Sequence, residues 1–378
     1  MQETPKSILL VHGSNDLYGA SKIFLNIIDS LQKTGLYDIH VILPYRGVLD
    51  ELLQSKGIDV NHKNLGVLRK KYFNVCGLFD RGAKIIKASL YIRNYIKTHK
   101  IDLVYTNTSV ILSTGIAARM SGSKSLIHIH DTPANNGIYS KAVGFLLEIL
   151  SDKVITVSNA VSQHYSKHIS ENKLVQIYNS VEVPDKINLK RHNSTPPFKM
   201  ICVGRLSPLK GHDYLIDIIV KLKELNPNLK LEIIGDVFKG YENYEASLLK
   251  KVKDRELTEL VSFTGFINNM EEKYKNADIL IHPSILPDSL PTVILEAMSY
   301  GLPVIATDLG GAKELLQKDE NGLLIPFNNP DIASEKINTF IQDRKEQQKC
   351  IENAHNNLKS HFTPSKFSER INQTVLSL

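Results

Sequence analysis

Residues 287–308 read PDSLPTVILEAMSYGLPVIATD. The stretch leaves a polar loop, enters a helix, breaks at a Gly–Pro turn and continues as the β-branched strand PVIAT. Asp288 falls in the loop before the helix and Glu296 about a turn and a half inside it. A helix N-terminus offers free N–H groups and the positive end of its dipole, so acids placed there act as caps or face a neutral polar ligand. The same alternation recurs on both sides of the stretch. KMICVG, LKLEIIG, LVSFTG, ADILIHPS and GLLIP are short apolar runs separated by segments of helical period. Such a series of strand, helix and strand predicts a parallel sheet covered on both faces. Asn268, three residues before Glu271, has the spacing of a capping box and predicts a helix start.

The first half repeats the pattern with SILLVHG, DIHVILP, IDLVYTN, KSLIHIH, DKVITVS and KLVQIYN as strands. At 378 residues the chain exceeds one ordinary core, so two α/β domains are expected. Between the halves lies VPDKINLKRHNSTPP, polar and without periodicity, the composition of a linker. The expected division is therefore 1–182, a linker at 183–197, 198–360 and a closing segment at 361–378. Ligands of open parallel sheets bind beyond the carboxyl ends of the strands, so two such domains are expected to share a cleft.

No apolar run reaches the roughly 18 residues of a membrane span, and SILLVHG is too short for a secretory signal. Three scattered cysteines, Cys76, Cys202 and Cys350, give neither a disulfide framework nor a zinc pattern, which fits a reducing cytoplasm. The net charge of +6 is unevenly spread. Residues 1–182 hold 21 Lys/Arg against 14 Asp/Glu, whereas the remainder holds 25 against 26. Nine basic residues and one acid lie between Arg69 and Lys100, interleaved with apolar side chains. That mixture suits anionic lipid headgroups, although a solvated helix face has the same composition. No nucleic-acid partner is expected.

Directly after KMICV comes GRLSPLKG, which sets Arg205 and Lys210 in a loop leading to a helix near His212. Two cations beside a helix N-terminus can clamp a phosphate, since charged hydrogen bonds and the dipole act on one anion. Pro291, Thr292 and Val293 open a second helix whose amides can hold the other side of a diphosphate. Asp288 and Glu296 can then take neutral hydroxyls. GSNDLYGA lacks the GK[ST] ending of a P-loop. His128, His130 and Asp131 hint at a metal site, but no HExxH motif, acidic pair or cysteine cluster supplies further ligands, so no metal is expected.

VGRLSPLKGHDYLI, FTGFI, ADILIHPS and PDSLPTVILEAMSYGLPVIATDLGGAKELL, in this order, resemble the C-terminal domain of retaining GT-B glycosyltransferases of the group 1, family 4-like type. NDLYGASKIFLNIIDSLQ resembles their N-terminal glycine loop and helix. IHIHD and VITVSNAV resemble their mid-domain strands, and IYNSVEVP their entry to the linker. FTPSKFSERINQTVLSL resembles a tail helix that crosses back onto the N-terminal domain. The resemblance implies a GT-B architecture of two Rossmann-like doubly wound domains, with a nucleotide-diphosphate sugar held mainly by the second.

It further implies that Arg205 and Lys210 hold the diphosphate, that the base lies near Phe266 and Ile267, and that Glu296 takes the ribose. Asp288, where the family usually has glutamate, would contact the donor sugar, and Gly19 would let the backbone approach it. His130 matches a family histidine near the sugar's reacting face, with Tyr18, Asn107 and Asp131 on the acceptor side. His130, Asp288, Arg205 and Lys210 are the expected catalytic set, with no cofactor beyond the donor itself. The expected reaction is transfer to a glycan or lipid-linked acceptor in surface polysaccharide or lipopolysaccharide biosynthesis, by a cytoplasmic protein docked on the inner membrane face. A nucleotide-sugar epimerase of similar shape and a catalytically weak nucleotide-binding partner subunit stay open as alternatives.

Overall fold

The fold is that of a computed structural model, which describes residues 5–68, 75–131, 137–187, 197–226, 228–237 and 240–378. It divides into two compact units, Met1–Asn179 with Pro364–Leu378, and Ser180–Thr363. Most of the expected linker, residues 188–196, lies outside the described residues, as do residues 69–74 of the basic segment.

The first unit runs β1 (Lys6–Val11), α1 (Gly19–Gln32), β2 (Tyr37–Leu43), α2 (Val48–Ser55), β3 (Val60–His62), α3 (Val75–His99) and β4 (Leu103–Thr106). It continues through α4 (Leu112–Ser121), β5 (Lys124–Ile129), α5 (Ile138–Leu150), β6 (Lys153–Thr156), α6 (Asn159–Tyr165) and β7 (Leu174–Gln176). The strands form one parallel sheet in the order β3-β2-β1-β4-β5-β6-β7. Successive side chains of a strand point to opposite faces, and β1 shows the result. Ile8 and Leu10 join the cluster made with α1, while Leu9 and Val11 join the one made with Ile92 and Ile96 of α3. Both faces are therefore apolar, as a fully covered parallel sheet requires. On α1, Ile23, Phe24, Ile27, Ile28 and Leu31 recur at helical spacing and are buried. Each contributes roughly 1.5–3 kcal/mol of burial.

The second unit runs β8 (Phe198–Val203), α7 (His212–Leu225), β9 (Leu229–Ile234), α8 (Glu242–Asp254), β10 (Val261–Phe263), α9 (Glu271–Asn276) and β11 (Ile279–His282). Then come α10 (Thr292–Ser299), β12 (Val304–Thr307), α11 (Gly310–Leu316), β13 (Leu323–Ile325), α12 (Pro330–Gln342) and α13 (Arg344–His361). Its parallel sheet has the order β10-β9-β8-β11-β12-β13. The last helix, α14 (Pro364–Leu376), belongs to the first unit. Its Phe367, Ile371 and Val375, four residues apart, enter the α1 cluster, and Asn372 Nδ2 donates to the Ser30 carbonyl at 3.1 Å.

Both sheets are doubly wound, and each reverses strand order once, between β1 and β4 and between β8 and β11. Loops leaving neighbouring strands part to opposite faces there, which opens a crevice at the carboxyl ends. The expected capping box at Asn268 does not form. The Glu271 N–H instead donates to Asn269 Oδ1 at 3.0 Å, because the residue two places back closes a tighter local turn.

Candidate active site

In the second unit, the loop after β8 carries Arg205 and closes with a 3-10 turn over Pro208–Lys210. Gly211 follows at φ +70, where a Cβ would stand 1.9 Å from the Pro283 carbonyl oxygen, so only glycine lets the β8 loop press against the β11 loop. The Ile285 N–H donates to Leu209 O at 3.2 Å and ties the two loops directly. On the far side, the Gly311 N–H donates to Asp288 O at 2.7 Å, and a Cβ on Gly310 would stand 2.4 Å from that same carbonyl oxygen. The backbone of Asp288 is thus held from α11.

Its side chain is held from two strands. Asp288 Oδ2 accepts from Lys210 Nζ at 2.6 Å, lies 2.9 Å from His282 Nε2, and accepts from Ser284 Oγ at 3.2 Å. The Thr307 hydroxyl fixes Ser284 by donating to its carbonyl at 2.6 Å. Burial penalises the Asp288 carboxylate, yet the Lys210 ammonium and His282 hold it well below the usual carboxylate range. Burial also lowers the His282 pKa, against the pull of Asp288. Among the described residues no hydrogen bond reaches Asp288 Oδ1. The carboxylate therefore stays charged, with one oxygen engaged and the other open to a ligand hydroxyl.

Pro291 caps α10, and Thr292 and Val293 begin it. Glu296, further along, accepts from Tyr274 Oη at 2.8 Å. Tyr274 is buried, and its ring stacks on Tyr300 with centroids 5.4 Å apart. Burial and then Glu296 push its phenol well above the usual range, so it remains a donor. After β10, Phe266 is exposed and its N–H donates to Asp236 Oδ1 at 2.9 Å, with Ile267 beside it.

In the first unit, His12 follows β1, Asn107 follows β4 and His130 follows β5, so three carboxyl ends converge. His130 Nε2 is 2.7 Å from Asn107 Oδ1, and Asn107 Nδ2 is 3.1 Å from His12 Nδ1 and donates to Ala20 O at 3.1 Å. Asn107, expected on the acceptor side, is fully buried, and its amide engages these three groups. Gly19 is the first residue of α1, and Tyr18 is its N-cap. The Tyr18 N–H donates to Asp16 Oδ1 at 3.2 Å. Asp131 is exposed just past β5.

Burial lowers His12 from the ordinary 6.5 to about 4 and His128 to about 3, and burial with both neighbours drives His130 well down. The rings of His128 and His130 lie 4.2 Å apart, with His128 Nδ1 engaged by the Tyr105 hydroxyl at 2.9 Å. Among the described residues no group of three or more His, Cys, Asp or Glu is arranged around a metal position. Sequence reasoning missed His282, Ser284 and Tyr274. The first two end the run ADILIHPS and so stand at a strand's carboxyl end, a signal that was available; nothing local marks Tyr274.

The model for Glycosyl transferases group 1 matches residues 185–357, and that for Glycosyltransferase Family 4 matches residues 18–183. Together they span nearly the whole chain, which belongs to the group 1 glycosyltransferases. An uncharacterised glycosyltransferase of Haemophilus influenzae is 26% identical over 86% of this chain and 87% of its own length. The lipopolysaccharide 1,2-N-acetylglucosaminetransferase of Salmonella typhimurium is 25% identical over 76% of this chain and 75% of its own. Among solved structures, Anabaena HepE in complex with UDP and glucose matches with a TM-score of 0.81 at 24% identity, over 98% of this chain and 99% of that one. The fold is that of the GT-B glycosyltransferases.

Neutral buried histidines make stability depend on pH with a definite sign. His12 and His128 stay unprotonated when folded down to about 4 and about 3, whereas unfolded histidine takes its proton near 6.5. The unfolded chain therefore binds more protons below pH 6.5, and stability falls as pH falls, by up to about 1.4 kcal/mol per pH unit for each proton. Asp50 and Asp288, with depressed values, lose their contributions only below their ordinary 3.8. The urea midpoint should drop steadily from pH 6.5 to 4.5; a flat midpoint there would contradict the burial of neutral histidine.

Proposed function

We propose that this glycosyltransferase moves a sugar from a nucleotide-diphosphate donor to a glycan or lipid-linked acceptor, with retention at the anomeric carbon and without a metal ion. The observation that carries the reading is the Asp288 cluster: a carboxylate with Lys210, His282 and Ser284 on Oδ2, beside the first turn of α10. Lys210 and Arg205, with the amides at Thr292 and Val293, suit the two phosphates, and Asp288 Oδ1 suits a hydroxyl of the sugar. Glu296, steadied by Tyr274, takes the ribose, and Phe266 and Ile267 flank the base. The UDP complex of HepE supports a nucleotide donor, and the lipopolysaccharide enzyme of Salmonella supports a surface-glycan acceptor.

His130 lies at the sugar, Gly19 admits the donor, and Tyr18 and Asp131 meet the acceptor. With no side-chain nucleophile assigned beside the sugar, the acceptor oxygen attacks from the face the phosphate leaves. The bond from carbon to the acceptor forms as the bond to phosphate oxygen breaks, and the departing phosphate takes the acceptor's proton. Fixed cations and helix termini stabilise the charge that develops on that phosphate.

The acceptor's class agrees with the surface of α3. Phe79, Ile86 and Leu90 are 78%, 62% and 51% exposed and share one helix face, with Lys87 to one side and Lys84 further round, paired with Asp80 at 2.8 Å. Phe145 and Ile149 of α5 are exposed four residues apart, beside Lys141. No helix among the described residues is long and apolar enough to cross a membrane. Apolar groups ringed by lysine suit the headgroup region of an anionic bilayer, which would put the protein on the cytoplasmic face.

Asp288→Asn should cut turnover on the order of 100-fold while nucleoside-diphosphate affinity changes little, because positioning at the reacting ring is what is lost. Glu296→Gln should weaken nucleotide affinity by about 1.5–3 kcal/mol, since its contact is made in donor and product alike. Calorimetry with the nucleotide and steady-state rates separate the two, and equal effects would sink these roles. Activity should survive EDTA; loss on chelation that Mg²⁺ or Mn²⁺ restores would reveal a metal site. Vesicle flotation should need anionic lipid, fall with salt and weaken in Phe79→Ser, whereas equal binding to neutral vesicles would rule out the basic face.

A further inference from the structure

Asn107 joins two histidines through a side chain whose ends are chemically distinct. Its Nδ2 lies 3.1 Å from the Ala20 carbonyl oxygen, which can only accept, so that end of the amide is the NH2 group. The other end, Oδ1, can then only accept, and His130 Nε2 at 2.7 Å must be the donor. The second hydrogen of Nδ2 points to His12 Nδ1 at 3.1 Å, which must therefore be the bare nitrogen of that ring. A neutral His12 then carries its proton on Nε2, facing Ser21 Oγ at 3.0 Å and Ser14 Oγ at 3.3 Å. The Ser21 hydroxyl in turn donates to Asp16 Oδ1 at 3.0 Å.

We infer that Asn107 and His12 are positioning residues that hold His130 as the neutral Nε2–H tautomer, through a hydrogen-bond chain running by Ser21 to the Asp16 carboxylate. The inference rests on the reading of His130 as the histidine at the donor sugar. The directions follow from two obligate acceptors, the Ala20 carbonyl beside Asn107 Nδ2 and the Asp16 carboxylate beyond Ser21. Ser21, His12 and Asn107 are buried, so water does not compete for the links, and aligned hydrogen bonds in such surroundings reinforce one another. His12 is further fixed by stacking on Phe24, with centroids 5.0 Å apart. His130 stands at the partly exposed end of the chain. With the proton on Nε2, Nδ1 of the neutral ring is an acceptor.

The neighbouring His128 gives the contrast. Its Nδ1 meets a tyrosine hydroxyl, which can donate or accept, and its buried Nε2 has no hydrogen-bond partner among the described residues. Packing alone leaves a histidine's tautomer undetermined in that way, whereas the route from Asp16 to His130 specifies both of its rings.

The test is long-range proton–nitrogen NMR on the full chain with labelled histidine, using His130→Gln and His12→Gln to assign the two rings. Both should appear at pH 7 as neutral Nε2–H tautomers in the unmodified protein, a measurement that no folding defect can obscure. Asn107→Ala should release His130 into a mixture of tautomers and lower kcat on the order of 100-fold with nucleoside-diphosphate Kd unchanged. Asn107→Asp keeps an acceptor for His130 but offers His12 only a second acceptor. It should move the His12 proton to Nδ1, leave the His130 proton on Nε2, and recover part of the kcat lost in Asn107→Ala. An Nδ1–H form of His130 in the unmodified protein, or a His130 signal that Asn107→Ala does not move, would overturn the inference. Tautomers that respond as stated with kcat unchanged would uphold the chain and overturn the placement of His130 at the sugar.

Discussion

The bond between Lys210 and Asp288 joins residues 78 positions apart, and the surroundings of the second unit's crevice are built to allow it. Each partner sits in a loop that neighbouring glycines let in: Gly211 behind Lys210, and Gly310 and Gly311 behind Asp288. Both side chains are about a third exposed, so water screens part of their attraction. What the pair provides is position, because Lys210 cannot drift while the carboxylate holds it, and the carboxylate cannot protonate while Lys210 and His282 stand beside it. A preorganised charge of this kind does not have to be assembled when a ligand arrives.

The strand and helix alternation was legible because parallel strands buried on both faces are written as short β-branched runs, ILLV and ILIH among them. Arg205 and Lys210 were legible because they lie in the short loop between a strand and a helix start, and Asp288 and Glu296 because they bracket a helix start, positions that local punctuation marks. The contacts between them were not. Nothing in the spacing says that Lys210 Nζ reaches Asp288, or that Tyr274 on α9 reaches Glu296 on α10, since both depend on the order of strands in the sheet. Asn268 failed for a smaller reason: two asparagines compete for one helix start, and the nearer side chain wins by geometry.

The first unit carries the same lesson with polar groups. His12, Asn107 and His130 come from three separate runs, SILLVHG, IDLVYTN and KSLIHIH, and each is the residue at or just past a strand end. The sequence offers Asn107 and His130 as candidates but leaves His12 unmarked, and nothing local says which way Asn107 faces. Only the adjacency of β1, β4 and β5 turns it inward. Burial then removes the competing water and leaves the amide a single way to satisfy its partners.

The position of α14 bears on how the chain comes to be folded. Asn372 bonds a carbonyl 342 residues earlier, and Phe367, Ile371 and Val375 close an apolar face of α1 that has waited since the first few dozen residues were made. A ribosome delivers the whole second unit before it delivers the helix that completes the first. During that interval Phe24, Ile27 and their neighbours lack part of their cover, the condition in which nascent chains stick to one another or to a chaperone. The long loop closure also makes docking of the tail a late and slow event compared with local helix formation. The first sheet and its helices can gather early, but the unit is sealed only when α14 arrives.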